Sequence, residues 1–186
     1  MKLSLCLLLF LASFQLTAQT STNEVLKQQL IKDWERAKTY TIEYVDAMPA
    51  DKYNFRPTDS MRNFAEQMLH FAQSNAGMAF IGTGYKNADL QLFLSQDFGK
   101  SSASQKKDSV LYYVTSGYNI MINAIKTMNF ENLGEVVSWN MPGGKRSTTR
   151  LGWLLKAFEH QVHHRGQCTV YLRLAGVHPP AEKLWD

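Results

Sequence analysis

Five histidines occur in the chain, and three of them, His160, His163 and His164, crowd one short stretch. A helix advances about 100° per residue, so residues three or four apart share a face. The stripe through His160 and His164 reads Trp153, Ala157, Cys168, Tyr171 and Ala175, which is apolar and aromatic apart from the imidazoles. It should face a protein interior. The stripe through His163 reads Lys156, Glu159, Gln167 and Arg173, and should face water. Two inward histidines four residues apart are an established way for a helix to chelate a metal. Neutral imidazole is the commonest metal ligand among side chains. Without an ion, the same spacing buries two polar rings that each need hydrogen-bond partners. The pair alone therefore leaves two readings open: a chelate, or one satisfied core histidine beside a partly wet one.

A third ligand has to come from another element, and His70 is the candidate. Its own stripe holds Glu66, Gln67, Ser74 and Gly77. A polar stripe of that kind either lines a solvent-filled site or is plain surface. Glu66, one turn before His70, is either a partner that orients a ligand or a surface carboxylate. Cys168, one turn past His164, is either a fourth ligand or a buried small hydrophobe. Tyr171 lines a pocket or packs in the core. Arg165 and Gln167 are read as holding helix ends or a dimer contact, with no catalytic role. His178, beside Gly176 and Pro179-Pro180, is read as structural or incidental. No general base stands out.

Three protein ligands leave a coordination position open, as catalytic rather than structural zinc sites do. Such an ion lowers the pKa of a bound water or thiol and so supplies a nucleophile. Zinc is the first expectation because imidazole suits it; nickel, iron and copper stay open. Gln161 stands where a His-Glu-x-x-His protease helix has its glutamate. No Gly-x-Ser-x-Gly elbow or phosphate-cradling glycine loop is present.

The elements that must position these residues read as helices. Over residues 23–48, Leu26, Leu30, Trp34, Ala37, Thr41, Tyr44 and Met48 recur at spacings of three and four. Pro49 ends that helix. Pro57-Thr58-Asp59-Ser60 supplies a turn and a cap, and a second helix is predicted over 61–81, stopped by Gly82 and Gly84. A looser connection runs to about residue 107. Asp108 or Ser109 caps a third helix carrying Val110, Val114, Tyr118, Met121, Ile125 and Met128. Residues 135–139 read as a short strand turning at Pro142-Gly143-Gly144. A fourth long helix spans about 148–175, closed by Gly176 and by Pro179-Pro180. The fold class predicted is all-α, a four-helix bundle with a short β-hairpin before the last long helix. The connections are long enough for a crossover. No internal repeat and no second domain are visible.

Residues 1–18 read as a secretory signal peptide: Lys2, an apolar run over 3–16, then Thr17-Ala18. Cleavage is expected after Ala18, giving an exported, periplasmic domain over residues 19–186. The run is short for a membrane span, which takes about 20 apolar residues; an uncleaved anchor is the alternative. Lys2 is the only charge in that segment, so the formal net charge falls from +4 to +3 on cleavage. Basic residues form no cluster interleaved with aromatics, which gives nucleic acid no footprint. Cys6 leaves with the signal, so Cys168 has no partner for an internal disulfide.

The run His160-Gln161-Val162-His163-His164-Arg165-Gly166-Gln167 is followed by Tyr171-Leu172-Arg173-Leu174-Ala175-Gly176 and Pro179-Pro180. Upstream stand Phe55-Arg56-Pro57-Thr58, Met61-Arg62, Phe64-Ala65-Glu66 and His70. Together these resemble the DinB-like, YfiT-like family of metal-dependent proteins over most of the chain, most weakly at 87–107. The resemblance implies a four-helix bundle with one divalent ion held by His70 from the second helix and His160 and His164 from the late one. It also implies a homodimer, and a kinship with thiol-dependent enzymes such as bacillithiol transferases and a mycothiol-dependent isomerase. An exported chain departs from the cytoplasmic setting of those thiols. Two functions are therefore expected as alternatives. One is a metal-dependent hydrolase or transferase acting on a small molecule. The other is a non-catalytic metal-binding or stress-related protein stabilised by its ion.

Overall fold

The computed structural model describes the backbone of residues 2–98, 101–141 and 143–185, and the side chains of those ranges except 2–21, 88, 89 and 92. The expected signal segment and its cleavage site lie outside the residues whose side chains are described. Among the described residues, no helix is long and apolar enough to cross a membrane.

The elements in order are α1 (Lys2–Ala47), α2 (Phe64–Thr83), α3 (Ala88–Leu94), α4 (Lys107–Thr127), β1 (Val136–Met141), β2 (Gly144–Thr149) and α5 (Arg150–Leu174). The four long helices make the predicted bundle. In it α2 packs on α4 and α5, and α1 packs on α4 and α5. Helices consecutive in sequence, α1 and α2, are thus not neighbours around the ring, and the 49–63 connection crosses one end. The apolar stripe of α1 is buried as its spacing requires, from Leu30 through Trp34, Ala37, Thr41 and Tyr44 to Met48. Trp34 meets Tyr118 of α4 and Phe158 of α5 edge-on at ring-centroid distances of 5.8 and 5.4 Å. Phe71 of α2 completes the cluster against Tyr118 at 6.2 Å. Edge-to-face pairs of this kind add about 0.5–1.5 kcal/mol each beyond their buried area, so one aromatic group ties all four helices together.

The start of α2 differs from the expected position. It begins at Phe64, with Asn63 as the cap: the Asn63 side chain accepts from the Glu66 amide at 2.7 Å, and Glu66 accepts from the Asn63 amide at 2.8 Å. This reciprocal box satisfies two amides that helix geometry leaves without partners, which the turn residues at 57–60 do not. At the other end Gly84 caps with φ 77°, while Gly82 stays inside the helix. Gly82 serves packing instead: a Cβ there would stand 2.9 Å from Trp153 Cβ of α5. Gly117 does the same for α2 against α4, since its Cβ would meet the Ala72 carbonyl oxygen at 2.6 Å.

The connection expected to be irregular contains α3, capped by the Asn87 side chain on the Leu90 amide at 2.7 Å. Leu90, Phe93 and Phe98 are buried there. The expected strand at 135–139 is longer, and β1 and β2 form an antiparallel hairpin with Trp139 opposite Arg146. Trp153 donates its indole N–H to the Val137 carbonyl at 3.1 Å, docking the ribbon on α5. Thr149 caps α5, and a Val177 amide bond to the Leu172 carbonyl at 2.8 Å closes its far end beside Gly176.

Arg165 does not stand at a helix end or on an outer face. It is buried, donating to Gln161 Oε1 at 2.7 Å and Thr41 Oγ1 at 3.2 Å, with its guanidinium 4.6 Å from the Tyr40 ring centroid. Neutral acceptors and an aromatic face satisfy it, and it pins α5 to α1.

Candidate metal centre

His160 and His164 leave the same side of α5, as one helical turn requires. His70 reaches them from the middle of α2. The three rings cluster at centroid separations of 5.3 Å (His70–His160), 4.8 Å (His70–His164) and 4.4 Å (His160–His164). One nitrogen from each can be chosen so that all lie within 4.8 Å of one another. The expected triad is therefore brought together, and the polar stripe of His70 lines a site rather than open surface.

The facing atoms of the α5 pair are His160 Nε2 and His164 Nε2, 3.1 Å apart. Two imidazole nitrogens bound tetrahedrally to zinc at about 2.0–2.1 Å stand about 3.4 Å apart, so this spacing suits a shared ion. On its other side, His164 Nδ1 is 2.9 Å from Gln67 Oε1. Gln67 donates its amide N–H to Gln167 Oε1 at 2.8 Å, and this assigns the carbonyl end of the amide to His164. A ring nitrogen facing a carbonyl carries the proton, which leaves the Nε2 lone pair for a cation. Gln167 in turn meets His163 Nε2 at 3.0 Å. Tyr171, buried in the core, donates to the Arg62 carbonyl at 2.6 Å and supports Gln67 from below at 3.4 Å. His160 has no such support: its Nδ1 is buried without a hydrogen-bond partner.

Burial disfavours the charged imidazole at all three positions, and neighbouring positive groups add to the effect. His70 is pushed down to about 4 by burial, then by Arg62 and His160. His164 is pushed down to about 3 by burial, then by His160 and His70. His160 shifts the same way, by burial first and His163 second. The three rings are neutral at pH 7, with lone pairs available, which is the form that binds metal.

Other expectations sort as follows. His163 is exposed. Cys168 is fully buried, its thiol pushed up by burial, and it does not join the ligand cluster. Among the described residues no fourth histidine, cysteine or carboxylate does either. Glu66 is committed to its cap and to Arg56 at 3.0 Å, so it does not orient His70. That orienting role belongs to Gln67 on His164, with Gln167 behind it; from sequence Gln67 has no assigned role, and Gln167 is expected at a helix end or a dimer contact. The signal available was a glutamine embedded in Phe64-Ala65-Glu66-Gln67-Met68-Leu69, on the face that buries Phe64 and Phe71. His178 bonds its neighbour, Nδ1 to the Pro179 carbonyl at 2.8 Å.

Among the described residues, two clefts border the site. The larger, about 590 Å³, runs between α2, α5 and the hairpin and touches His70 and His160. The smaller, about 420 Å³, opens past His70 toward Arg62, Glu66 and Asp97. Both volumes lie in the range of small-molecule sites.

The sequence model of the DinB family matches residues 18–185. No curated protein matches the chain. Among solved structures, a DinB-like protein from Bacillus cereus ATCC 10987 superimposes with a TM-score of 0.67 at 17% identity, over 84% of this chain and 97% of that one. A DinB-like protein from Bacillus subtilis, YjoA, gives a TM-score of 0.61 at 19% identity, over 84% and 96%. At those identities the two structures speak to the fold alone, and they carry the same bundle. With a family match that spans the bundle from end to end, the chain belongs to the DinB family.

Proposed function

We propose that this chain is an exported metal-dependent hydrolase or transferase that holds one divalent ion, zinc first, on His70, His160 and His164 and acts on a small molecule. The observation that carries the reading is the convergence of three neutral imidazoles beside an apolar cleft, with no fourth protein ligand among the described residues. A bound ion with an open position supplies a water or thiol of lowered pKa. The chain's own residues do the rest. Gln67 keeps the His164 proton on Nδ1, so Nε2 faces the site. Met78, Ile81 and Trp153 give the cleft an apolar wall. Export with removal of residues 1–18 is part of the proposal, on the basis of the N-terminal sequence pattern. So is a homodimer: Leu155, Val162, Val170 and Leu174 are exposed apolar residues within about 120° of one α5 face.

One observation favours the binding-only alternative: among the described residues no carboxylate lines the larger cleft to serve as a base. Elemental analysis of untagged mature protein tests the site. About one divalent ion per chain is expected in wild type and little in His160→Ala. Equal metal content in the two would remove the proposal. The N-terminal sequence of the same sample reads whether Ala18 is the last residue removed.

A further inference from the structure

The walls of the larger cleft differ in chemistry from the imidazoles at its base. Trp139 and Arg146 are directly opposed in the hairpin ladder, so their side chains leave the same face of the ribbon. Both line the cleft. Trp139 keeps 43% of its surface exposed and Met141 keeps 37%. That is apolar surface aimed at a hollow which the core does not cover. Met78 and Ile81 of α2 and Trp153 of α5 form the facing wall.

Arg146 and Lys156 stand at the exposed edge of the same hollow. Among the described residues no carboxylate borders it, and neither cation joins any of the ion pairs. An ion on the histidines would add positive charge at the base of the cleft, which makes the whole hollow one-signed.

We infer that the cleft binds an amphipathic organic anion, its apolar body against Trp139, Met78, Ile81 and Trp153 and its head on Arg146 and Lys156. The inference deepens the proposed function by naming the substrate class, and it rests on that reading for any chemistry at the ion. The order of recognition follows from the placement: the head is held at the rim by the hairpin and α5, and the body extends inward toward His70 and His160.

The test uses the full chain as purified and three probes with one body: 4-phenylbutyrate, 4-phenylbutan-1-ol and 4-phenylbutylammonium, titrated by calorimetry. The carboxylate should bind about ten-fold tighter than the alcohol, as two rim ion pairs allow, and the ammonium weakest. In the double variant Arg146→Gln, Lys156→Gln the carboxylate should fall to the alcohol's affinity while the alcohol is unchanged. Trp139→Ala should weaken the carboxylate and the alcohol alike. A carboxylate that merely ligated an ion would keep its preference in the double variant, and that outcome overturns the inference. So does equal binding of alcohol and carboxylate to wild type, or no binding of either. Divalent-ion content is measured on the same samples. Protein free of any divalent ion that keeps the anion preference would sink the metal proposal and leave this one standing; ion-loaded protein without the preference would do the reverse.

Discussion

Substituting Gln67 by leucine removes the acceptor that fixes the His164 ring, a ligand in the proposed site. Gln67 is 5% exposed, so no solvent replaces it. The His164 Nδ1–H would then point at a methyl group, and its proton would be free to move to Nε2, the nitrogen needed for the ion. Loss of a hydrogen-bond partner behind a metal-bound histidine costs about ten- to a hundred-fold in affinity, or about 1.4–2.7 kcal/mol. The fold should survive. Tyr171 keeps its 2.6 Å bond to the Arg62 carbonyl, and the capping box one residue away is untouched. A stability loss of about 1–3 kcal/mol is expected from the unpaired Gln167 and His164 groups. Gln67→Glu is the control, because a carboxylate still accepts from Nδ1 and the Gln167 amide can turn to donate to it. Zinc affinity is read by competition with a chromogenic chelator, and folding by the urea midpoint. Affinity in Gln67→Leu within about three-fold of wild type would refute the orienting role assigned to Gln67. So would an equal loss in both variants.

Three further expectations concern protons, packing and assembly. In unfolded chain His70 and His164 take up protons as pH falls through the ordinary 6.5, but in the folded protein they resist until about 4 and about 3. Their contribution is therefore fully present above pH 6.5 and is lost as pH drops toward 4; the urea midpoint of chelator-treated protein should fall over that window, less steeply in His164→Asn, and equal slopes would refute the assignment. Gly117→Ala should cost about 1–3 kcal/mol in urea unfolding, because a methyl 2.6 Å from the Ala72 carbonyl oxygen forces α2 and α4 apart; an unchanged midpoint would show that the helices have slack there. Val170→Asp, at an exposed position on the apolar face of α5, should convert a dimer to a monomer in light scattering, and a wild type already monomeric would remove the dimer from the proposal.

How much of this was legible in the sequence depends on how each residue does its work. The late-helix pair stands out because a buried ligand on an otherwise apolar stripe has no camouflage. His70 is harder to place, since its neighbours are polar for separate reasons: Glu66 closes a cap, Gln67 holds another ring, and Ser74 and Gly77 border a cleft. Periodicity sees only that the stripe is wet. The same limit hid Arg165, whose charge reads as surface although Gln161, Thr41 and Tyr40 accommodate it inside. Local signals fared unevenly too. Gly143 and Gly144 marked the turn of the hairpin, Pro142 lying outside the described residues, but Gly82 read as a stop when its purpose is to let Trp153 approach. Asn63 and Glu66 formed the true start signal for α2 three residues after the expected one, and Asn87 marked α3.

The hairpin closes its own backbone ladder and is tied to the bundle at its base, by Arg150 on Glu135, and on one side by the Trp153 indole on the Val137 carbonyl and Trp139 edge-on to Phe80 at 5.3 Å. It carries none of the three imidazoles. Its length and side chains can therefore drift or be exchanged while α2 and α5 go on presenting the same ligands. A single bundle of this design can vary the wall of its cleft while the three imidazoles stay where they are, with the ribbon as the interchangeable part.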